Sequence, residues 1–260
     1  MKYFVFSDAH GFYTILKKSL LKAGFDESND EHMLISIGDN FDRGPENYEM
    51  FMFLKEMKKK NKIILIKGNH EDLMLQMLTS RRANYTDITN GTFGTIEQLS
   101  VALFGEGKAD MFFDAFPTLY WGLKEEGFLD LIYDMRDYYE TSHFVFTHGF
   151  IPINKETYSY KNNWRNSNSS EFKDSRWLNG IQMSIYYDIK VPNKKIVIGH
   201  FHSSYGNVRK DYGLGLSPKE YRMLEFSKCE YFDIYEDDNV IALDACTVHS
   251  KQINILVVDD

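Results

Sequence analysis

The chain has 260 residues, 43% of them hydrophobic and 15% aromatic, which is enough apolar side chain to bury a core and excludes disorder on compositional grounds. Its net charge of -8 argues against a dedicated nucleic-acid binder, which would show a basic face. No apolar run is as long as a membrane span, and Tyr3 to Phe6 is too short for a signal peptide, so a soluble cytoplasmic protein is expected, with Cys229 and Cys246 as free thiols.

The first third alternates strand, polar loop and helix. Tyr3 to Ser7 is an apolar run ending in Asp8-Ala9-His10-Gly11, and Tyr13 to Ala23 has helical spacing with Leu16, Leu20 and Ala23 on one face. Met33 to Ile37 is a second apolar run, ending in Gly38-Asp39-Asn40-Phe41-Asp42-Arg43-Gly44. Asn47 to Met57 reads as a helix, and Lys58 to Lys60 fit a solvated C-terminal end favoured by the helix dipole. Ile63 to Ile66 is a third strand, ending in Lys67-Gly68-Asn69-His70-Glu71, and Glu71 to Met77 opens another helix. This order predicts parallel strands with crossovers, whose carboxyl ends bring the three polar loops side by side.

Asn84 to Thr95 is polar and reads as turns. Thr95 to Tyr139 is mainly helical, interrupted by Pro117, and is expected to be an insertion or cap over roughly residues 95–140 of a single domain spanning 1–260. His143 to Phe146 is a strand ending in Thr147-His148-Gly149. Ile151 to Asn193, rich in Asn, Ser, Tyr and Trp, reads as a long irregular loop. Lys195 to Ile198 is a strand ending in Gly199-His200-Phe201-His202. Val240 to Leu243 and Ile253 to Val258 are spaced like a hairpin or a sheet edge.

The chemistry sits at the strand ends. Asp8, His10, Asp39, Asn69, His148, His200 and His202 offer oxygen and imidazole donors and no thiolate. That set suits manganese, iron or zinc in a reactive site, whereas calcium and magnesium sites carry more oxygen. A shared carboxylate can hold two metals about 3.5–4 Å apart, and Asp39, on the central strand, is the natural bridge.

With these motifs the chain resembles the calcineurin-like metallophosphoesterases. Gly38 to Gly44 and Gly68 to Glu71 are closest to the serine/threonine phosphoprotein phosphatase branch, and Ile241 to Val258 resembles the closing strands of bacterial members. The resemblance implies an α/β fold: a β-sandwich of two mixed sheets flanked by helices, with the metals at one edge. It implies two divalent cations, manganese first, with iron or zinc as alternatives. Asp8, His10, Asp39 and His202 would hold one; Asp39, Asn69, His148 and His200 the other. His70 would be general acid with Asp42 fixing its tautomer, and Arg43 would clamp phosphate oxygens. A second phosphate-binding arginine is expected at Arg165 or Arg176, each beside a tryptophan.

The expected activity is phosphomonoester hydrolysis on phosphorylated protein or a small phosphoester. The double histidine of Gly199-His200-Phe201-His202 is the pattern of the wider superfamily and supports an alternative, a phosphodiesterase or dinucleoside polyphosphate hydrolase. A third reading, a non-catalytic metal-binding scaffold, would require lost ligands or a lost acid, and none is missing. Trp121, Trp164 and Trp177 are expected either to line a substrate groove or to pack the irregular segment. Glu71 is expected to be structural, and His32, His143 and His249 structural or exposed. The sequence does not fix the oligomeric state.

Overall fold

A computed structural model describes residues 1–105 and 116–260. The first third runs β1 (Lys2–Phe6), α1 (Tyr13–Lys22), β2 (His32–Ser36), α2 (Asn47–Lys59), β3 (Ile63–Leu65) and α3 (Asn69–Ser80). Among the described residues there follow α4 (Tyr85–Asn90), α5 (Thr92–Phe104), α6 (Phe116–Glu125) and α7 (Phe128–Tyr133). Then come β4 (Tyr139–Glu140), β5 (Phe144–Phe146), β6 (Ile153–Asn154), β7 (Ser159–Tyr160), α8 (Ser169–Ser175), α9 (Gly180–Tyr187) and β8 (Lys195–Ile198). The chain ends with α10 (Ser204–Tyr212), α11 (Pro218–Ser227), β9 (Tyr235–Glu236), β10 (Val240–Ala242), α12 (Thr247–Ser250) and β11 (Leu256–Asp259).

Two mixed sheets result. The first has the order β11-β1-β2-β3, parallel through β1, β2 and β3 and antiparallel at β11. The second has the order β4-β5-β8-β10-β9, parallel through its three central strands and antiparallel at both edges. Period-two alternation sorts the side chains into layers. On β1 and β2, Phe4, Phe6 and Leu34 point to a helical layer that includes Phe51 and Leu54 of α2 and Met74 of α3. Tyr3, Val5 and Ile35 point the other way and meet Phe146, Val197 and Ile241 of the second sheet. The far face of that sheet carries Val145, Ile196, Ile198 and Val240 under Phe172 of α8 and Ile181 of α9. The fold is therefore helices, sheet, sheet, helices, as the resemblance implied. Each fully buried Phe or Leu contributes about 1.5–3 kcal/mol.

Three expectations change. Asn84 to Thr95 is helical: the Asn84 side chain accepts from Asp87 N, the Asp87 carboxylate accepts from Asn84 N, and left-handed Gly91 separates α4 from α5. Ile151 to Asn193 holds β6, β7, α8 and α9. The Asn residues that gave it a loop-like composition include helix caps, Asn168 on α8 and Asn179 on α9. Of the two arrangements expected for Val240 to Leu243 and Ile253 to Val258, the hairpin is not formed, since β10 lies inside the second sheet, while β11 is a sheet edge, on the first sheet. Of the expected helical insertion, residues 106–115 lie outside the described residues. The described part packs on the first sheet's helical layer through Ile96, Leu99, Leu123 and Phe128. Pro117 falls in the first turn of α6, where a missing N–H is tolerated.

Candidate metal centre

Five strand-end loops converge. The β1 loop is zipped to the β2 loop by three backbone bonds, Asp8 N to Gly38 O (3.1 Å), His10 N to Asp39 O (3.0 Å) and Gly11 N to Asn40 O (2.8 Å). Glu71, fully buried at the start of α3, ties the β2 and β3 loops. Its carboxylate accepts from Gly68 N (2.8 Å), Asp39 N (3.0 Å), Asn40 N (2.9 Å) and Asn40 Nδ2 (3.1 Å). Across the sandwich, His200 N donates to Asp8 Oδ2 (3.0 Å), and Ser7 Oγ donates to the same oxygen.

The backbone here is strained. Asp8, His10, Asp39, Asp42, Arg43 and His200 all have positive φ, between 45° and 75°. Left-handed conformation costs an L-residue about 1–2 kcal/mol, least for Asp and Asn. The hydrogen bonds above hold the loops in it, and the side chains turn inward together. Gly199 is required by space: a Cβ there would overlap Ser7 Oγ and Asp8 Oδ2.

Asp39 is the hub. It is 2% exposed, with Oδ1 3.3 Å from His148 Nε2 and Oδ2 3.9 Å from His10 Nε2 and 3.8 Å from His70 Nε2. It thus belongs to two candidate cation clusters, His10–Asp39–His70 and Asp39–His148–His200. Burial alone would raise its pKa, but His148, His70 and His10 hold the carboxyl well below the carboxylate range. Asp8 is the opposite case: burial and the charge of Asp244 push it well above its ordinary value.

Whether these residues suit a metal can be read from the tautomers. His10 Nδ1 lies 2.9 Å from Phe41 O and His148 Nδ1 2.8 Å from Ile37 O. A carbonyl only accepts, so Nδ1 carries the hydrogen and Nε2 of each ring faces the centre, the usual support of a metal-ligating histidine. His200 also hydrogen-bonds the Trp177 backbone, and its pKa is lowered to about 3 by burial and by His148. Burial and the Arg43 charge also keep His10 neutral, as a ligand must be. Asn69 Oδ1 lies 2.8 Å from His148 Nε2, which also faces Asp39 Oδ1. Three electron-rich atoms converging require a cation among them. Without a metal it is the His148 proton, for although burial opposes it, Asp39 raises His148 to about 10. The donor set fits a divalent metal.

On the other flank His70 Nδ1 donates to Asp42 Oδ2 at 2.6 Å, and Arg43 forks onto two rings, with Nη1 3.0 Å from His10 Nε2 and Nη2 2.9 Å from His70 Nε2. Asp42 is fully buried and also accepts from Thr92 Oγ1 and Thr95 Oγ1, both at 2.7 Å, while its own N donates to Thr95 Oγ1 (3.0 Å).

Two sequence expectations are placed differently. His202 is not gathered into either cluster: Nδ1 lies 3.0 Å from Glu225 Oε1, the ring also bonds Cys246, and despite burial these partners raise its pKa to about 11. Neither candidate arginine is free. Arg165 forks onto Glu140 and lies 4.4 Å over the Trp164 ring. Arg176, 5% exposed, pairs with Asp72 (2.6 Å) and Asp137. Trp164 is buried in the second sheet's outer core, whereas Trp177 stands edge-on to His200 at 5.7 Å and Trp121 is exposed. His143 is exposed. Thr92, Thr95, Glu225 and Cys246 were missed, because none lies at a strand-end motif.

Comparison with known proteins agrees with this geometry. Residues 1–239 match the calcineurin-like phosphoesterase family. Serine/threonine-protein phosphatase 2 of Salmonella typhimurium is 36% identical over 87 residues, 34% of this chain and 37% of that protein. The bis(5'-nucleosyl)-tetraphosphatase PrpE [asymmetrical] of Halalkalibacterium halodurans is 26% identical over 106 residues, 38% of this chain and 42% of that protein. The matched segments thus span well under half of these relatives. The fold is similar to that of a cold-active protein-tyrosine phosphatase from a psychrophilic Shewanella, with a TM-score of 0.52 and 15% identity, over 100% of this chain and 75% of that one. The chain belongs to the calcineurin-like phosphoesterase family.

Proposed function

We propose that the chain is a metal-dependent phosphoester hydrolase with two divalent cations bridged by Asp39. The observation that carries this is one buried carboxylate with an oxygen facing each of two histidine clusters. In this reading Asp8, His10 and Asp39 hold one cation, joined by His202 when its ring leaves Glu225. Asp39, Asn69, His148 and His200 hold the other. Oxygen and imidazole donors suit manganese, with iron and zinc as alternatives. Bound there, the cations supply Lewis acidity toward the phosphoryl oxygens and make water nucleophilic at neutral pH.

The protein's own groups orient the substrate and move a proton. The Arg43 fork, which donates to two ring nitrogens, would transfer its donors to phosphoryl oxygens as a bidentate pair. That frees the His70 Nε2 lone pair to take up a proton, which Asp39 and Asp42 favour although burial opposes it, and to deliver it to the leaving oxygen, with Asp42 holding Nδ1. Burial of both His70 and Asp42 keeps water from competing for that bond.

The finer reading is a phosphomonoesterase of the serine/threonine protein phosphatase type, supported by Asp42-Arg43-Gly44, by His70-Glu71 and by the phosphatase relative. A second reading, a dinucleoside polyphosphate hydrolase or phosphodiesterase, is supported by His200-Phe201-His202 and the tetraphosphatase relative. Among the described residues no helix is long and apolar enough to cross a membrane. We place the protein in the cytoplasm on the strength of its free thiols. Metal-stripped protein refilled with manganese is tested on a phosphopeptide, a phosphodiester and a dinucleoside polyphosphate. Release from at least one is expected, and release from none sinks the proposal.

A further inference from the structure

A cleft of about 540 Å³ opens beside the metal centre, between α10 and α11; it shares His200 with the centre and is lined also by His202. Neither helix was legible as a site element in the sequence. Four aromatic rings line the cleft, from Phe201, Tyr205, Tyr221 and Phe226, and Phe201 and Phe226 are 38% and 43% exposed. Two arginines line it as well. Arg209 is held between tyrosine rings, 3.4 Å from the Tyr205 centroid and 4.6 Å from that of Tyr221, and its buried Nε has no hydrogen-bond partner. Arg222 is exposed at the edge.

The arrangement is specific in chemistry. Flat apolar faces next to guanidinium groups suit a planar aromatic ring joined to an anion, the ring stacking and the anion taking the cations. The surface continues into the phosphoester centre through His200, so the ligand it fits is the same molecule whose phosphoryl group reaches the metals. A phosphoserine or phosphothreonine side chain carries no ring.

We propose that the α10–α11 cleft is the leaving-group subsite of this centre and takes the nucleoside of a nucleoside polyphosphate, its base against Phe201 and Phe226 and its retained phosphates toward Arg222. The proposal rests on the phosphoester-hydrolase reading and selects its second branch. In the reaction the oxygen of water bonds to phosphorus, the bridging P–O bond breaks toward the cleft, and the leaving phosphate oxygen takes a proton.

The test uses the full chain with two readouts. Turnover by manganese-refilled protein is measured on diadenosine tetraphosphate and on a phosphoserine peptide, for wild type, Phe226→Ala and Arg222→Ala. Binding of AMP to metal-stripped protein is measured by calorimetry for the same three. The expected result is hydrolysis of the dinucleotide, with KM raised about tenfold by Phe226→Ala and kcat changed little, the size of one lost base–aromatic stack. AMP affinity should fall in parallel. Dinucleotide turnover with KM and AMP affinity unmoved in both variants would overturn the subsite and leave the hydrolase. Turnover of the phosphopeptide alone, with no AMP binding, would also overturn it. If nothing is hydrolysed, the hydrolase reading fails separately, and AMP binding lost in Phe226→Ala would still place a nucleotide in the cleft.

Discussion

The floor of the centre and the wall beside it are built in opposite ways. The floor consists of loops in left-handed conformation, zipped by backbone hydrogen bonds and closed beneath by the Glu71 carboxylate. Its side chains are buried, their tautomers are fixed, and a Cβ at Gly199 has no room. The wall of α10 and α11 is half open, with aromatic rings showing free faces and a guanidinium nitrogen without a partner. Chemistry common to all phosphoesters requires fixed donors, and the floor supplies them. Choice among leaving groups requires exposed complementary surface, and the wall offers it.

Substitutions on the floor should therefore cost most. Asp39→Asn removes the one oxygen pair facing both clusters. Metal content of refilled protein should fall from two equivalents per chain, and turnover should drop by about 10³-fold or more, since several kcal/mol of charge stabilisation goes with the metals. Full metal content in this variant would break the assignment of Asp39 as bridge. Glu71→Ala leaves buried donors on Gly68, Asp39 and Asn40 unmet at about 1–3 kcal/mol for each one left unsatisfied. A fall in unfolding free energy of about 3 kcal/mol or more is expected by urea denaturation, and an unchanged midpoint would show that the loops hold themselves.

His70→Asn separates acid from ligand. Metal content should stay at two, while kcat falls about 10²-fold, more for poor leaving groups than for p-nitrophenolate. Loss of metal would reassign His70 to the His10 cluster, where the geometry also allows it. Smaller still is Thr95→Val, which takes one hydroxyl from Asp42 and one acceptor from Asp42 N. Turnover should fall by about tenfold, the scale of a 1.4 kcal/mol change, with metal content intact. Arg165→Ala should be the mildest, under about 1 kcal/mol in stability, because its pair with Glu140 is partly exposed. A large loss of turnover in Arg165→Ala would instead make it the phosphate-binding partner of Arg43.

The same contrast explains what the sequence could reveal. Strand-end motifs are short and local, so Asp8-x-His10, Asp39-x-x-Asp42-Arg43, Asn69-His70, His148 and His200 were legible before any coordinates. The apolar run of β1 was legible as a strand, but its split into two layers, Phe4 and Phe6 against Tyr3 and Val5, was not, because both faces are apolar. The support was not legible. Thr92 and Thr95 reach Asp42 across about fifty residues of chain, from a stretch that read as turns because Asn84, Asp87 and Gly91 are capping and stop residues. Spacing marks His202 as a ligand candidate but cannot reveal that Glu225, on α11, holds the same ring in this structure. The aromatic wall is spread over two helices with few buried positions, so no periodic stripe announced it.

The most direct test of the central claim is a titration of metal-stripped protein with manganese while phosphoester hydrolysis is followed. The shared Asp39 carboxylate predicts that rate rises to a plateau at two equivalents per chain. A plateau at one equivalent, or no hydrolysis of any phosphoester with two bound, would contradict it.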